Sequence, residues 1–366
     1  MKFQCNTKPL SDALNLGIIN SNVSNFHKKS TLTQITATKN LLKINVEASR
    51  ICSEMLLRGM GDSDEPAKIF VNSLLLKQLV STFDSNTVEL EFSDSGLVFH
   101  SGKSTFTLPK MVDDDELELM HPEGVVNSPE LDIDKSNWKF IKDYQMYAIA
   151  MSFIHPVYTY VWVGSSGDVL VGDFDNSLFT LSHKGVLDST CLLSETIINL
   201  FNSLPDGSKI SKSGSSYIIR YDSDSFSYRT QFMPKYETDE DTGTYNSDIF
   251  LGMMAHPYGG VSIKAEALAK NLNQALLLSS STEDTVTLSA RGSEFKLTNT
   301  NVNCDIPFVG NLDSDYSVSF KLESLKQVIS NYGDSEIHVN PLIQEGECAG
   351  IIVWNDELTT VLAGVE

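Results

Sequence analysis

The residues able to do chemistry are few and scattered. Ser101-Gly-Lys-Ser104 has the ending of a phosphate-binding loop, in which backbone N–H groups and a lysine cradle phosphates. The upstream glycine is Gly96, which leaves five residues where that motif has four, and no helix follows to offer its N-terminus. A hairpin turn is the better reading. The run Asp113 to Glu116 offers carboxylate oxygens to a hard cation but lacks the turn glycine and alternation of a calcium loop, so it reads as a solvated linker. Seven histidines occur singly, with no His-Glu-x-x-His pair, and no Gly-x-Ser-x-Gly elbow precedes a helix. Five cysteines (Cys5, Cys52, Cys191, Cys304, Cys348) are odd in number and lack zinc-ligand spacing, so they read as reduced thiols of a cytosolic protein. No catalytic residue, metal site or cofactor is expected.

The remaining candidates are lysines, and helices carry them. Leu76, Leu79, Val80 and Phe83 sit at i, i+3, i+4 and i+7, one face of a helix. The spacing returns at Ile197, Leu200, Phe201 and Leu204, and again at Leu325, Val328, Ile329 and Tyr332. Each helix ends in a polar turn that leads into an alternating strand, such as Val88 to Phe92 or Ile337 to Val339. Burying one such side chain stabilises by roughly 1.5 to 3 kcal/mol, so each stripe implies a sheet beneath it. The interval, about 120 residues, is domain-sized and too long for a solenoid repeat.

Three further helices are expected at 7 to 18, 135 to 147 and 264 to 278. Charged runs at Asp113 to Glu116 and Glu237 to Asp241 mark linkers. The 366 residues therefore divide into three similar domains, at 1–120, 130–245 and 246–366. The expected class is α+β, with two helices per domain packed on antiparallel sheets. No apolar run reaches membrane-spanning length, and the N-terminus has no apolar leader, so a cytoplasmic protein without membrane contact is expected.

A net charge of -21 argues against a nucleic-acid partner only if the charge is evenly spread. It is not. The six helices hold nine lysines against five acids (Asp12, Asp143, Glu195, Glu266, Glu323). At 100° per residue Lys135, Lys139 and Lys142 point away from the buried Ile141 and Tyr144, and Lys270 points away from Leu268 and Leu272. Any one such face is ordinarily a solvated surface. A basic bias confined to the helices of an acidic chain raises the alternative of a polyanion partner.

At this point the chain resembles the bacterial β sliding clamp, the processivity factor of replicative DNA polymerase. The resemblance covers the whole chain and rests on Met1-Lys-Phe3, Val98 to Leu108, Phe226 to Tyr236 and Tyr316 to Val328. It implies three clamp domains per chain and two chains closing head to tail into a homodimer ring around duplex DNA, with helices lining the hole. It also implies a replicative polymerase and a clamp loader as partners, and DNA contact without sequence preference. The DNA contacts it implies are Lys28, Lys29, Tyr158 and Tyr160, to which the helical reading adds Lys77, Lys135, Lys139, Lys142, Lys270 and Lys326. The dimer contact it implies is Phe106 and Leu108 against Leu277 and Leu278.

The partner-peptide pocket is where the chain departs. Similar clamps carry an Asp-Gly-His-Arg-Leu type stretch and a Met-Pro-Met-Arg-like end; here stand Asp173-Phe-Asp-Asn-Ser-Leu-Phe179 and Val361-Leu-Ala-Gly-Val-Glu366. A pocket of Val161, Phe179, Pro234, Val361 and Leu362 is expected, and the departure suits a phage-encoded clamp working in the infected host's cytoplasm with its own polymerase. The rival classes are a clamp-like scaffold without a DNA role and a DNA-modifying enzyme of unknown chemistry.

Overall fold

A computed structural model of the chain describes residues 1–18, 32–48, 50–112, 117–122, 130–133, 160–173, 178–182, 187, 190–235, 238–239, 243–254, 260–279, 284–310 and 315–365. The expected helix at 135–147, the loop with Lys28 and Lys29, Tyr158 and the run Asp113 to Glu116 lie outside these residues. The rest is α+β, built of antiparallel sheets with short helices packed on them.

The chain divides into two compact units, Met1–Lys135 with Thr196–Pro234, and Ser136–Glu195 with Lys235–Glu366. In the first, sheet 1 runs in the order Met60–Gly61, Lys2–Asn6, Thr87–Ser93, Gly96–Ser101, Ser104–Pro109. Its sister, sheet 2, has eight strands in the order Leu131–Asp132, Lys209–Ser213, Ser216–Asp222, Phe226–Phe232, Ile51–Arg58, Leu41–Ala48, Leu32–Ala37, Ala67–Asn72. Strands of the middle third thus complete a sheet of the first third, through Phe226–Phe232 paired with Ile51–Arg58.

The second unit repeats the arrangement. Sheet 3 has eight strands in the order Cys191–Leu193, Val161–Val163, Val169–Asp173, Leu178–Ser182, Leu358–Ala363, Glu347–Trp354, Glu336–Gln344, Val261–Lys264. Sheet 4 has four, Asn303–Asp305, Glu294–Thr298, Thr285–Arg291 and Tyr316–Lys321.

The described helices are α1 (Thr7–Gly17), α2 (Ser73–Val80), α3 (Glu195–Ser203), α4 (Ser247–Met253), α5 (Ala265–Leu277) and α6 (Leu322–Ser330). Each stripe is helical through its first three members, and its last (Phe83, Leu204 or Tyr332) lies just past the end of the helix. Ile197, Leu200, Phe201 and Leu204 are fully buried, as are Leu325, Val328 and Ile329, while Leu76 and Val80 anchor α2. The Asn72 side chain accepts the Leu75 N–H at 3.0 Å, capping α2. The short α4 is an element the periodicity does not announce, since seven residues hold too few turns for a stripe.

Ser101 to Ser104 closes the hairpin between Gly96–Ser101 and Ser104–Pro109, with Ser101 and Ser104 paired and Gly102 at φ 61°, a left-handed turn position that favours glycine. That geometry holds no phosphate loop.

Candidate nucleic-acid and partner interface

Each eight-stranded sheet carries longer helices on one face, and period-two alternation decides what its other face presents, which on sheet 3 includes the place where the short α4 packs. On sheet 3 one cross-strand row reads Leu192, Trp162, Leu170, Leu181, Thr359, Trp354, His338. The next row reads Phe179, Val361, Ile352, Asn340. Trp162, Leu170, Leu181, Ile352 and Val361 join Tyr245, Phe250 and Met254, from the α4 segment, in one buried cluster. The rings of Phe179 and Phe250 stack with centroids 4.6 Å apart. Around this cluster Tyr160, Phe179, Leu251, Leu342 and Trp354 remain only partly buried, an apolar rim open to solvent.

Of the expected pocket residues, Phe179 and Val361 are direct cross-strand partners on this face. Val161 and Leu362 alternate onto the opposite face, where they are buried, and Pro234 is buried in the first unit. Trp162, Phe250, Leu342 and Trp354 are the members that sequence reasoning missed. The run Tyr160-Val-Trp-Val163 carried the signal for Trp162, but a strand's alternation does not say which face meets a helix.

Phe106 and Leu108 lie on Ser104–Pro109, the edge strand of sheet 1. Phe106 is 38% exposed and stacks on Phe83 at 5.6 Å, whereas Leu108 is buried against its own sheet. Leu277 and Leu278, at the C-terminal end of α5, are 85% and 55% exposed. Two adjacent leucines so exposed contribute little to the core of their own unit.

Lys270 is exposed on α5, and Lys326 is half-buried on α6. Lys77 differs. Its ammonium donates to the Ile18 carbonyl at 2.8 Å, tying α2 to the end of α1, and burial pushes its pKa below the usual lysine value. Tyr160 lies beside the Lys235 ammonium, 5.2 Å from the ring centroid. Lys28, Lys29, Lys135, Lys139, Lys142 and Tyr158 lie outside the described residues. Among those that are described, no cluster of three or more His, Cys, Asp or Glu could hold a metal ion, and no helix is long and apolar enough to cross a membrane.

No family model and no curated protein sequence matches the chain. Solved structures do. The DNA polymerase sliding clamp of Bacillus subtilis superposes with a TM-score of 0.74 at 16% identity, covering 100% of this chain and 99% of that one. The Helicobacter pylori β clamp, solved with a DNA ligase peptide, gives 0.71 at 13% identity, and the Caulobacter crescentus clamp 0.71 at 15%, each covering 100% of both chains. At such identities the likeness is one of fold, and the fold of this chain is that of the bacterial sliding clamps.

Proposed function

We propose that the chain is a non-enzymatic DNA sliding clamp, which encircles duplex DNA as a head-to-tail dimer and tethers a replicative polymerase in the cytoplasm. The observation that carries this reading is a clamp fold matched from end to end, joined to exposed apolar residues at the two places this reading gives to ring closure, Phe106 in one unit and Leu277 with Leu278 in the other. A heterologous contact of two different surfaces closes into a ring when the rotation permits, and three clamp domains per chain, at 1–120, 130–245 and 246–366, would let two chains do so. Enclosure needs little attraction per phosphate, so the exposed Lys270, with Lys139 and Lys142 on their expected face, suffices for a sliding contact.

The rim around Phe179, Val361, Leu342 and Trp354 is the docking place this reading gives to polymerase and loader peptides, as the H. pylori clamp holds a ligase peptide. Negative-stain images of the purified chain test the assembly. Closed two-chain rings are expected, and they should give way to single chains in the double variant Phe106→Ala with Leu277→Ala. Single chains in the unaltered protein at micromolar concentration would overturn the ring.

A further inference from the structure

Among the partly buried residues of the sheet 3 rim Trp354 is the one indole, and two contacts hold its ring. Its Nε1–H donates to Asn340 Oδ1 at 3.0 Å, and the His338 imidazole stacks on it with centroids 4.2 Å apart and planes 22° apart. Asn340 is 2% exposed, and its carboxamide lies so close over Gly260 that a Cβ there would approach it to 2.6 Å. The hydrogen bond is therefore fixed at its acceptor end and does not titrate.

The stack is different. Histidine is the side chain whose ordinary charge change falls between about pH 5 and 8. An imidazolium over an indole face gains a cation–π attraction that the neutral ring lacks, worth about two- to fivefold in an equilibrium at an exposed site. His338 and Trp354 are direct cross-strand partners, and their row continues to Thr359 and Leu181 on the cluster side and to Ser262 on the other. A segment seated on the cluster thus reaches the indole from the Thr359 side and leaves the half-buried imidazole one strand further out, in contact with water. The charged groups around His338 are Glu336, on the same face of its strand and accepting from the Ser262 hydroxyl, Lys264 opposite Glu336, and Asp356 and Glu357 in the turn beyond Trp354.

We propose that His338 is a pH-dependent latch on Trp354, whose charged form holds the indole in place for docking and whose neutral form loosens it. The inference rests on the reading of the rim as a docking place and adds a control to it. A ring held before a segment arrives need not be ordered on binding, so affinity is higher where His338 is charged. His338 acts here as a positioning residue, through Trp354 and without touching the docked segment.

The test uses the full chain, the variants His338→Gln and His338→Arg, and as probe a short capped peptide of Leu, Phe and Ser, which carries no titrating group. The chain has three tryptophans, so the indole N–H resonances are few, and the one lost in Trp354→Phe belongs to Trp354. Between about pH 8 and about pH 5.5 that resonance should shift in the unaltered chain and stay in place in His338→Gln. Over the same range peptide affinity should rise about two- to fivefold in the unaltered chain. It should stay at the lower value in His338→Gln and at the higher value in His338→Arg, whose guanidinium stacks and is charged throughout. A Trp354 resonance that stays still in the unaltered chain or moves as far in His338→Gln overturns the latch, and so does binding that is independent of pH. A peptide that binds at neither pH, while the resonance still answers to His338, overturns the docking reading and with it the use of the latch.

Discussion

Sheets 2 and 3 have the same strand number and the same antiparallel pairing, and they differ in the face opposite the longer helices, where on sheet 3 only the short α4 packs among the described helices. On sheet 2 one row runs Gln34, Asn45, Glu54, Arg229, Arg220, Lys209. Its charges are met within the unit: Lys43 reaches Glu54 at 2.7 Å, and Arg220 reaches Glu130 at 3.1 Å. Residues 117–122 cross this face as well. The Leu119 N–H donates to Gln34, the Met120 N–H to Glu47, and Lys68 to the Leu117 carbonyl. Much of this face is thus paired within the unit, although Asn45 Oδ1 and Arg220 Nε are buried without a hydrogen bond among the described residues. The corresponding face of sheet 3 is aromatic and aliphatic, and its rim loses water only when something docks on it. One architecture thus yields a polar, largely paired wall and an apolar candidate docking surface, and the side chains at alternate positions make the difference.

The largest effect that could break this contrast is on stability. Trp162→Ala, which empties the centre of the sheet 3 cluster, should cost about 3 to 5 kcal/mol in urea unfolding, while Arg220→Gln on sheet 2 should cost less than about 1 kcal/mol, since it removes a partly exposed pair. Similar losses from the two would mean that the faces are not distinct in kind. Next in size is Glu54→Ala. It strands the Lys43 ammonium, and because that group is one-third exposed the cost should fall to about 1 to 3 kcal/mol, below that of a fully buried pair.

How much of this was legible in the sequence follows from the range of each signal. The three helical stripes needed only i, i+3 and i+4 neighbours, and Leu76, Ile197 and Leu325 are buried as their spacing required. Alternation marked Phe226–Phe232 as a strand but carried nothing about its pairing with Ile51–Arg58, far away in the chain. The same limit hid the docking face. Val161 and Leu362 are apolar, yet strand parity sends them to the face opposite Phe179 and Val361, and the α4 segment that supplies Phe250 is too short to show a stripe. Lys77 matched the lysine pattern of the other helices, and only the three-dimensional position of the Ile18 carbonyl distinguishes its role.

Smaller effects sharpen the functional side of the comparison. Phe179→Ala with Trp354→Ala should weaken a peptide from the cognate polymerase by about tenfold in equilibrium binding, because half-exposed aromatic anchors carry more of an interface than of a core. No loss of affinity would move the docking site elsewhere. Smallest in free energy is a pair of lysines. Lys77→Ala should lower stability by about 1 kcal/mol through the lost tie between α1 and α2, whereas Lys270→Ala should leave the unfolding midpoint unchanged and reduce the salt slope of DNA binding. The reverse assignment would exclude α5 from the DNA-facing surface.

Encirclement is tested most directly by loading the protein onto a closed circular duplex, raising the salt, and measuring what remains bound before and after the circle is cut. A ring held by topology should stay on the circle at salt that strips the same protein from linear DNA, and should leave once the circle is opened. Equal loss from circular and linear templates would contradict the account, since it would mean that the protein adheres to DNA through its surface and does not enclose it.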